Sequence, residues 1–579
     1  MIDAHTHLVA KAIGELAHEL LIEPRRLDVD EFALATDAPE VEYRFRAHRH
    51  ALDHWVVDRS SLRKTHRGQP APIDGVRFFV ELRARLGIPE PTVAGYLEEV
   101  ASTLHGAAWI RARGGPSADA LTRAGFQEIE TAMCAGHPVF VAGSGRIGFS
   151  ARDHAAYAPE AGQPLQLAWL AAHARNLELA CVDGLTHDAL LRAELGEEAL
   201  AAFTARLPDP EAYRLIPVHP WQWDNRIAQM FAPDLARGDL IFLGHGADRY
   251  LPQQSIRTLA NTSRPDRCYV KTALSIRNMG FTRGLPARLP RIGAAVNDWA
   301  SALVRRDPVL AEHGFGLLRE IAFVGYHHRT FERASSLRSD PYKEMLGAVW
   351  RESPLGLVRP GQRLMTMAAL LHVDGAGAPF LPALIRASGL DAEAWVRAYL
   401  RAYLTPLLHC FYAHDLVFTP HCENVILVLE HDVPVGAILK DLAEDIGVIN
   451  PSVELPAPVR HLGVRIPEEN ATLSIFVDVF DGVFRFLAPI LAEAGYAEER
   501  FWRQVAACVH DYRRAQPQVA EKLRRLDLFA PTFQRSCLNR LQLTNHRLMI
   551  DLNAPDPFES LQFVGTLPNP IAPFREATP

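Results

Sequence analysis

The spacing of apolar residues changes along the chain, and that change limits the folds open to it. From about Asp391 onward apolar side chains recur at helical spacing (DAEAWVRAYLRAYLTPLLHCFYAHDL), as in amphipathic helices packed on a core. The stretch before it is built of short strand-like runs: Arg214 to Val218, Leu240 to Leu243, Ser255 to Leu259, Tyr269 to Ile276 and Gly316 to Gly325. Nearer the start, residues 8 to 22 (LVAKAIGELAHELLI), Pro91 to Arg113 and Pro164 to Asn176 read as helices, while Val41 to Asp58 alternates as strands do. One hairpin interrupts the C-terminal helices, with Glu423 to Glu430, a turn at His431-Asp432, and Val435 to Lys440. The pattern predicts an α+β chain in three parts: helical, then sheet-containing, then helical again, with boundaries near 130 and 385.

At 579 residues the chain is long enough for three or four domains or large subdomains. No run of about 18 apolar residues occurs, which argues against a membrane span. Met1 to His7 lacks a basic region followed by an apolar one, so no secretory signal is expected. Seven scattered cysteines without a CxxC pair exclude a disulfide framework and a zinc ribbon, and fit a reducing cytoplasm. A net charge of −7 makes nucleic acid an unsuitable partner. Six lysines stand against 55 arginines. Each retained lysine is therefore informative, because a compact ammonium against a phosphate oxygen is not replaced by a planar guanidinium. Lys271 and Lys440 both fall in motif segments.

Four constellations carry chemistry. Asp3-Ala4-His5-Thr6-His7 reads either as a strand ending in a metal-binding His-x-His, as in metal-dependent amidohydrolases, or as the lead-in to the first helix. Gly136-His137-Pro138 followed by Gly143-Ser144-Gly145-Arg146 suits a loop whose amides approach an anion. Ser255, Arg257, Thr258, Lys271 and Arg283 place three cations and two hydroxyls within 29 residues. Asp266 is the one acid among them, so they suit a polyphosphate, the alternative being strand-end charges paired elsewhere. Finally His421, Glu423 and Asn424 enter an apolar strand and Lys440-Asp441 ends the next. Acids on such a hairpin can hold Mg²⁺ through oxygen, or form a buried polar network.

Taken together and in this order, these blocks resemble the NRPS-independent siderophore synthetases, the aerobactin-synthetase-like family. The resemblance runs from about 130 to 570 and includes Phe533 to Leu543 (FQRSCLNRLQL) and Gly565 to Pro570 (GTLPNP). Phe418 to Asn424 with Ser536 to Gln542 is most similar to the alcaligin and desferrioxamine branch, which handles preassembled carboxylates. The resemblance implies a cupped hand: a thumb (1–130), fingers (131–385) and a helical, ferric-reductase-like palm (386–579). It also implies a homodimer, ATP and Mg²⁺ as cofactors, and adenylation of a carboxylate that then passes to an amine, hydroxylamine or hydroxyl. Carried over by position, Ser255, Arg257, Thr258 and Lys271 would hold the phosphates, and Arg283 the phosphate or the substrate carboxylate. His421, Glu423 and Asn424 would line the nucleotide site, Glu423 and Asp441 would take the metal, and His137 would face the reacting carboxylate. His137 or His421 would serve as base.

The sequence departs from the family's pattern at Phe140 and Ser144, where many relatives carry a second His and a Lys, and at Cys422, where Gly is frequent. The first departure weakens citrate itself as the expected acid. Two rival readings are a metal-dependent amidohydrolase using His5 and His7, and a non-enzymatic ferric-siderophore-binding protein.

Overall fold

In the computed structural model the described residues are 2–133, 136–337, 339–544 and 562–576; Cys134 lies outside them. The chain opens with helix α1 (Ile2–His18), which seats Leu8, Val9, Ile13 and Leu16 in a buried cluster with Phe78, Phe79 and Tyr96. His5 and His7 therefore belong to a helix, not a strand. Two residues apart on a helix is about 200° of rotation, so they cannot share a face. His5 Nδ1 instead accepts from the Gly75 N–H at 2.9 Å, and His7 Nδ1 meets Arg59 at 2.8 Å. Helix Glu90–Arg113 follows as expected. The N-terminal part is not helical throughout, however: residues 25–71 form a six-stranded sheet that contains the expected hairpin, Val41–His50 with His54–Val57.

Pro164 to Asn176 overturns its helical reading. Ala168–His173 is the central strand of a three-stranded sheet, paired on both sides and buried. The helix-forming tendency of Leu and Ala is worth tenths of a kcal/mol per residue and yields to that burial.

The middle of the chain is organised on a six-stranded antiparallel sheet. Its edges are Leu177–Cys181 and Tyr250–Pro252, with β1 (Thr258–Asn261), β2 (Tyr269–Thr272), β3 (Glu320–Tyr326) and β4 (Gly347–Arg351) between them. Spatially β4 lies between β2 and β3. Helix α2 (Pro290–Arg306) packs on β3, and its Gly293 lies so close to Phe323 that a Cβ there would come within 2.5 Å of the ring. The short α3 (Pro308–Glu312) follows.

The C-terminal part centres on α4 (Ala392–His414), which starts at the capping Asp391. Trp395, Tyr399 and Tyr403 stack along its buried face at successive four-residue steps, with ring centroids 5.9 and 5.5 Å apart. Each end of that ladder fixes the hairpin that follows. Strand β5 (Leu416–Phe418) leads out of α4, then β6 (Val425–Glu430) and β7 (Val433–Leu439) form the expected hairpin. Trp395 Nε1 donates to the carbonyl of Asp432 in its turn (3.0 Å), and Tyr403 Oη donates to the carbonyl of Pro420 at its entry (2.7 Å). His431 and Asp432 both take left-handed φ, 50° and 64°, as a two-residue hairpin turn with the twist of its strands requires. Helix α5 (Glu498–Ala515) packs against α4. No helix among the described residues is long and apolar enough to cross a membrane.

Candidate active site

Sheet register builds the cationic side of the site. Thr258 on β1 stands opposite Lys271 on β2. Tyr269, two residues earlier, stands opposite Arg351 on β4, which in turn stands opposite Glu320 on β3. Because strand side chains alternate, Thr258, Lys271, Arg351 and Glu320 share one face. Ser255 and Arg257 do not extend β1, as the sequence suggested. They lie in a turn around Ile256, a buried β-branched residue at φ 65°. Such a conformation costs on the order of 1–3 kcal/mol and persists only where the surroundings impose it.

The hairpin brings acids to this face. Lys271 Nζ lies 2.6 Å from Asp441 Oδ1, contacts Glu444, and is 3.8 Å from Glu320. Arg351 donates to the same Asp441 oxygen at 2.6 Å and to Glu320 at 3.0 Å. The scarcity of acids around Lys271 in sequence is thus made up by residues from 49 to 173 positions away. Burial alone would lower the Lys271 pKa, but the charges of Asp441, Glu444 and Glu320 outweigh it and hold the ammonium above its usual range. Asp441, itself at φ 68°, is kept well below the carboxylate range; burial opposes this, and Arg351, Lys271 and Lys440 overcome it. Asp445 behaves oppositely: burial, then the charges of Asp441 and Glu444, push it up to about 7.

Asn424 is held by this cluster, donating to Asp445 at 3.0 Å and to the Thr419 carbonyl at 3.1 Å. Lys440 Nζ sits 3.9 Å from both Glu423 and Asp441. Arg257 reaches Glu444 at 3.4 Å and the Gly284 carbonyl. Arg283 donates to Asn278 Oδ1 at 2.6 Å, and its buried Nε has no partner among the described residues. The buried Thr258 hydroxyl likewise has none among them. Burial lowers the Arg283 pKa, and Arg257 lowers it further, so an anion arriving there relieves repulsion between two guanidinium groups.

At the other end stand the two candidate bases. His137 and His421 approach edge to face with ring centroids 6.0 Å apart. Burial holds both below the ordinary histidine range, and for His137 the fields of His421, Lys11 and Arg283 add to it. The shift favours the neutral form of both rings, the form that can accept a proton. Beside His137 lies an apolar wall, with Phe140 at 4.9 Å and Leu541, Met279, Phe281 and Leu538 in one cluster.

The structure brings Arg257, Thr258, Lys271, Arg283, Glu423, Asn424, Asp441, His137 and His421 into one region, whereas His5 and His7 lie on α1 and Arg146 pairs with Glu160 at 2.7 Å. Sequence reasoning missed Arg351, Glu320 and Glu444. The run Lys440-Asp-Leu-Ala-Glu-Asp445 carried a signal for Glu444, whereas Arg351 is an arginine among many and carried none. Orphaned Thr258 Oγ1 and Arg283 Nε suit oxygen-rich phosphates. Glu423 and Asp441 offer hard oxygen donors, and two carboxylates are what Mg²⁺ takes when phosphates and water complete its shell.

Comparison with known proteins identifies the family. A model of the IucA / IucC family matches residues 125–372, and one described as ferric iron reductase FhuF-like transporter matches residues 393–551. Putrebactin synthase of Shewanella sp. (strain MR-4) is 44% identical over 583 residues, covering 99% of this chain and 92% of that protein. Aerobactin synthetase IucC from a hypervirulent pathotype of Klebsiella pneumoniae superposes with a TM-score of 0.86 at 28% identity, covering 98% of each chain. The ATP-bound aerobactin synthetase IucA of the same source shares the fold, with a TM-score of 0.74 at 18% identity over 98% of this chain and 99% of that one. The chain belongs to the IucA/IucC family of siderophore synthetases, enzymes that join a carboxylate to an amine with ATP. The amidohydrolase and binding-only readings are not favoured.

Proposed function

We propose that this synthetase adenylates a carboxylate with release of pyrophosphate, and passes the acyl group to an amine, hydroxylamine or hydroxyl with AMP as the leaving group. The observation that carries the reading is the juxtaposition of a cationic phosphate cradle with two neutral buried imidazoles. Ser255, Arg257, Thr258 and Arg283 bind and orient the triphosphate. Lys271, oriented by Asp441 and Glu444, meets charge that develops as the α–β bond breaks, where a fixed donor acts most strongly. Glu423 and Asp441 would hold Mg²⁺, which would supply positive charge against the phosphates. His421 or His137 accepts the proton released as the nucleophile attacks the acyl carbonyl; a neutral, positioned base of this kind contributes about 10²–10⁴-fold.

The wall of Phe140 and Leu541 supports an acid carried on an aliphatic arm, a citrate derivative or succinyl-hydroxamate type, over citrate itself. A tricarboxylate would leave charge against that wall unpaired. The reading extends to a cytoplasmic homodimer with the thumb, fingers and palm bounded at about 130 and 385. A screen of carboxylic acids with hydroxylamine as trap tests it: an acid-dependent release of pyrophosphate with hydroxamate formation is expected. Absence of turnover with every aliphatic hydroxamate acid, alongside turnover with citrate, would overturn the substrate class.

A further inference from the structure

Away from the candidate active site, three side chains that neither the family likeness nor the proposed chemistry uses converge on one point. Asp307 lies at the junction of α2 and α3, and His409 and His414 lie in the last two turns of α4. Asp307 Oδ2 is 3.0 Å from His409 Nε2 and 2.8 Å from His414 Nε2, and the three atoms lie within 4.8 Å of one another. Among the described residues this is the one group of three or more His, Cys, Asp or Glu side chains close enough to hold a metal ion.

We infer that Asp307, His409 and His414 form a binding site for one divalent first-row transition ion of the Zn²⁺ class, with the remaining coordination open to water. Two imidazoles and one carboxylate are the donors such borderline ions select, whereas Mg²⁺ and Ca²⁺ prefer all-oxygen shells. Donors about 2.0–2.2 Å from a tetrahedral ion stand about 3.3 Å apart, so small ring movements convert the present contacts into ligation. The donors are also held from behind. Asp307 Oδ1 accepts from the Val309 and Leu310 N–H groups at 2.9 and 3.0 Å, leaving Oδ2 for the site. His409 Nδ1 meets Tyr512 Oη on α5 at 3.3 Å, an outer contact of the kind that orients ligating imidazoles. Among the described residues no lysine or arginine forms an ion pair with Asp307; its two ion-pair partners are these imidazoles. His409 and Asp307 are nearly buried, while His414 is 26% exposed and opens the site to solvent. An ion here ties the α2–α3 junction to the end of α4, from which β5 runs to His421.

The test uses full-length, tag-free protein stripped with chelator. Zn²⁺ titration by calorimetry should give one equivalent, Co²⁺ should give visible ligand-field absorption, and Zn²⁺ should raise Tm by mass action. His414→Ala, at a partly exposed position, should weaken binding by at least the ~10–100-fold that even an outer-shell partner costs. It should also remove the Tm rise. Asp307→Asn keeps an oxygen for the two helix-capping bonds and should weaken binding as well, which covers the case of one variant failing to fold. No Zn²⁺-dependent Tm rise and no Co²⁺ band in the unsubstituted protein would overturn the site. So would unchanged binding in both variants, which would place the ion elsewhere, for instance at Glu423 and Asp441.

Discussion

His137 and His421 face one another with ring planes at 80° and centroids 6.0 Å apart, although 284 residues separate them in sequence. Their burial sets a signed pH prediction. Each has a folded pKa below the 6.5 of an unperturbed histidine. As pH falls through 6.5 the unfolded chain takes up protons that the folded chain refuses, so each ring reduces stability on the acid side and nowhere else. His421→Asn removes that loss. Relative to the parent, the variant should gain stability between pH 7 and pH 5, by at most about 1.4 kcal/mol per pH unit for one proton. Urea unfolding at the two pH values measures it, and a parallel pH dependence in both proteins would contradict the burial argument.

Activity should fall in the same variant. If His421 is the base, His421→Asn lowers turnover by about 10²–10⁴-fold and His137→Asn by less. The reverse order exchanges their roles, and turnover undiminished in both removes the imidazoles from the chemistry.

Lys271→Ala combines two effects that the sequence alone did not distinguish. The phosphate contact should cost on the order of a hundredfold in turnover. The structure adds a stability cost, because Asp441, Glu444 and Glu320 lose one of the cations that hold them in a buried network. Breaking such a pair costs roughly 3–5 kcal/mol. Lys271→Arg should recover part of the stability and little of the turnover, since a planar fork does not fit between three carboxylates as a point charge does. Calorimetric unfolding alongside pyrophosphate release separates the two, and full activity in Lys271→Ala removes the residue from the site.

His5→Ala distinguishes a metal ligand from a helix-packing residue. His5 accepts the Gly75 N–H, so the substitution should cost about 1 kcal/mol for one lost hydrogen bond and leave ATP-dependent turnover intact. Removing residues 1 to 8 is a harsher change, because Ala4 and Leu8 are 2% and 5% exposed and belong to the core around α1. Loss of all turnover in His5→Ala with an unaltered Tm would reopen a catalytic role for the N-terminus.

What could be read from the sequence was what local spacing encodes. The β6–β7 hairpin was legible because its alternation and its two-residue turn are local, and α4 because its aromatic ladder repeats every four residues. Ala168–His173 was not, because burial between two strands is a long-range fact that Ala and Leu do not announce. Ser255 was misplaced for a similar reason: Ile256 looks like a strand residue, and only its surroundings force it into a left-handed turn. The residues of the candidate site were identifiable as a set, yet their partners were not. Lys271 looked free of acids because Glu320, Asp441 and Glu444 are adjacent only after the sheet and the hairpin come together.

Acyl-phosphate and acyl-adenylate routes both need a clamped triphosphate, so they differ in which bond of ATP is cut and not in the charges required. The route proposed above is adenylation, with Lys271 meeting the leaving pyrophosphate. The expected products are AMP and pyrophosphate, formed only with a carboxylic acid and Mg²⁺ present. Glu423→Gln removes one negative charge while keeping the shape of the side chain, and leaves Lys440, which lies 3.9 Å from both acids, to Asp441 alone. The Mg²⁺ concentration needed for half-maximal turnover should therefore rise and turnover should fall, since an amide is a poorer ligand for a hard cation than a carboxylate. Chromatography of the nucleotides during single turnover decides the route: ADP appearing in step with amide formation would sink adenylation, and a Mg²⁺ requirement unchanged in Glu423→Gln would take Glu423 out of the metal site.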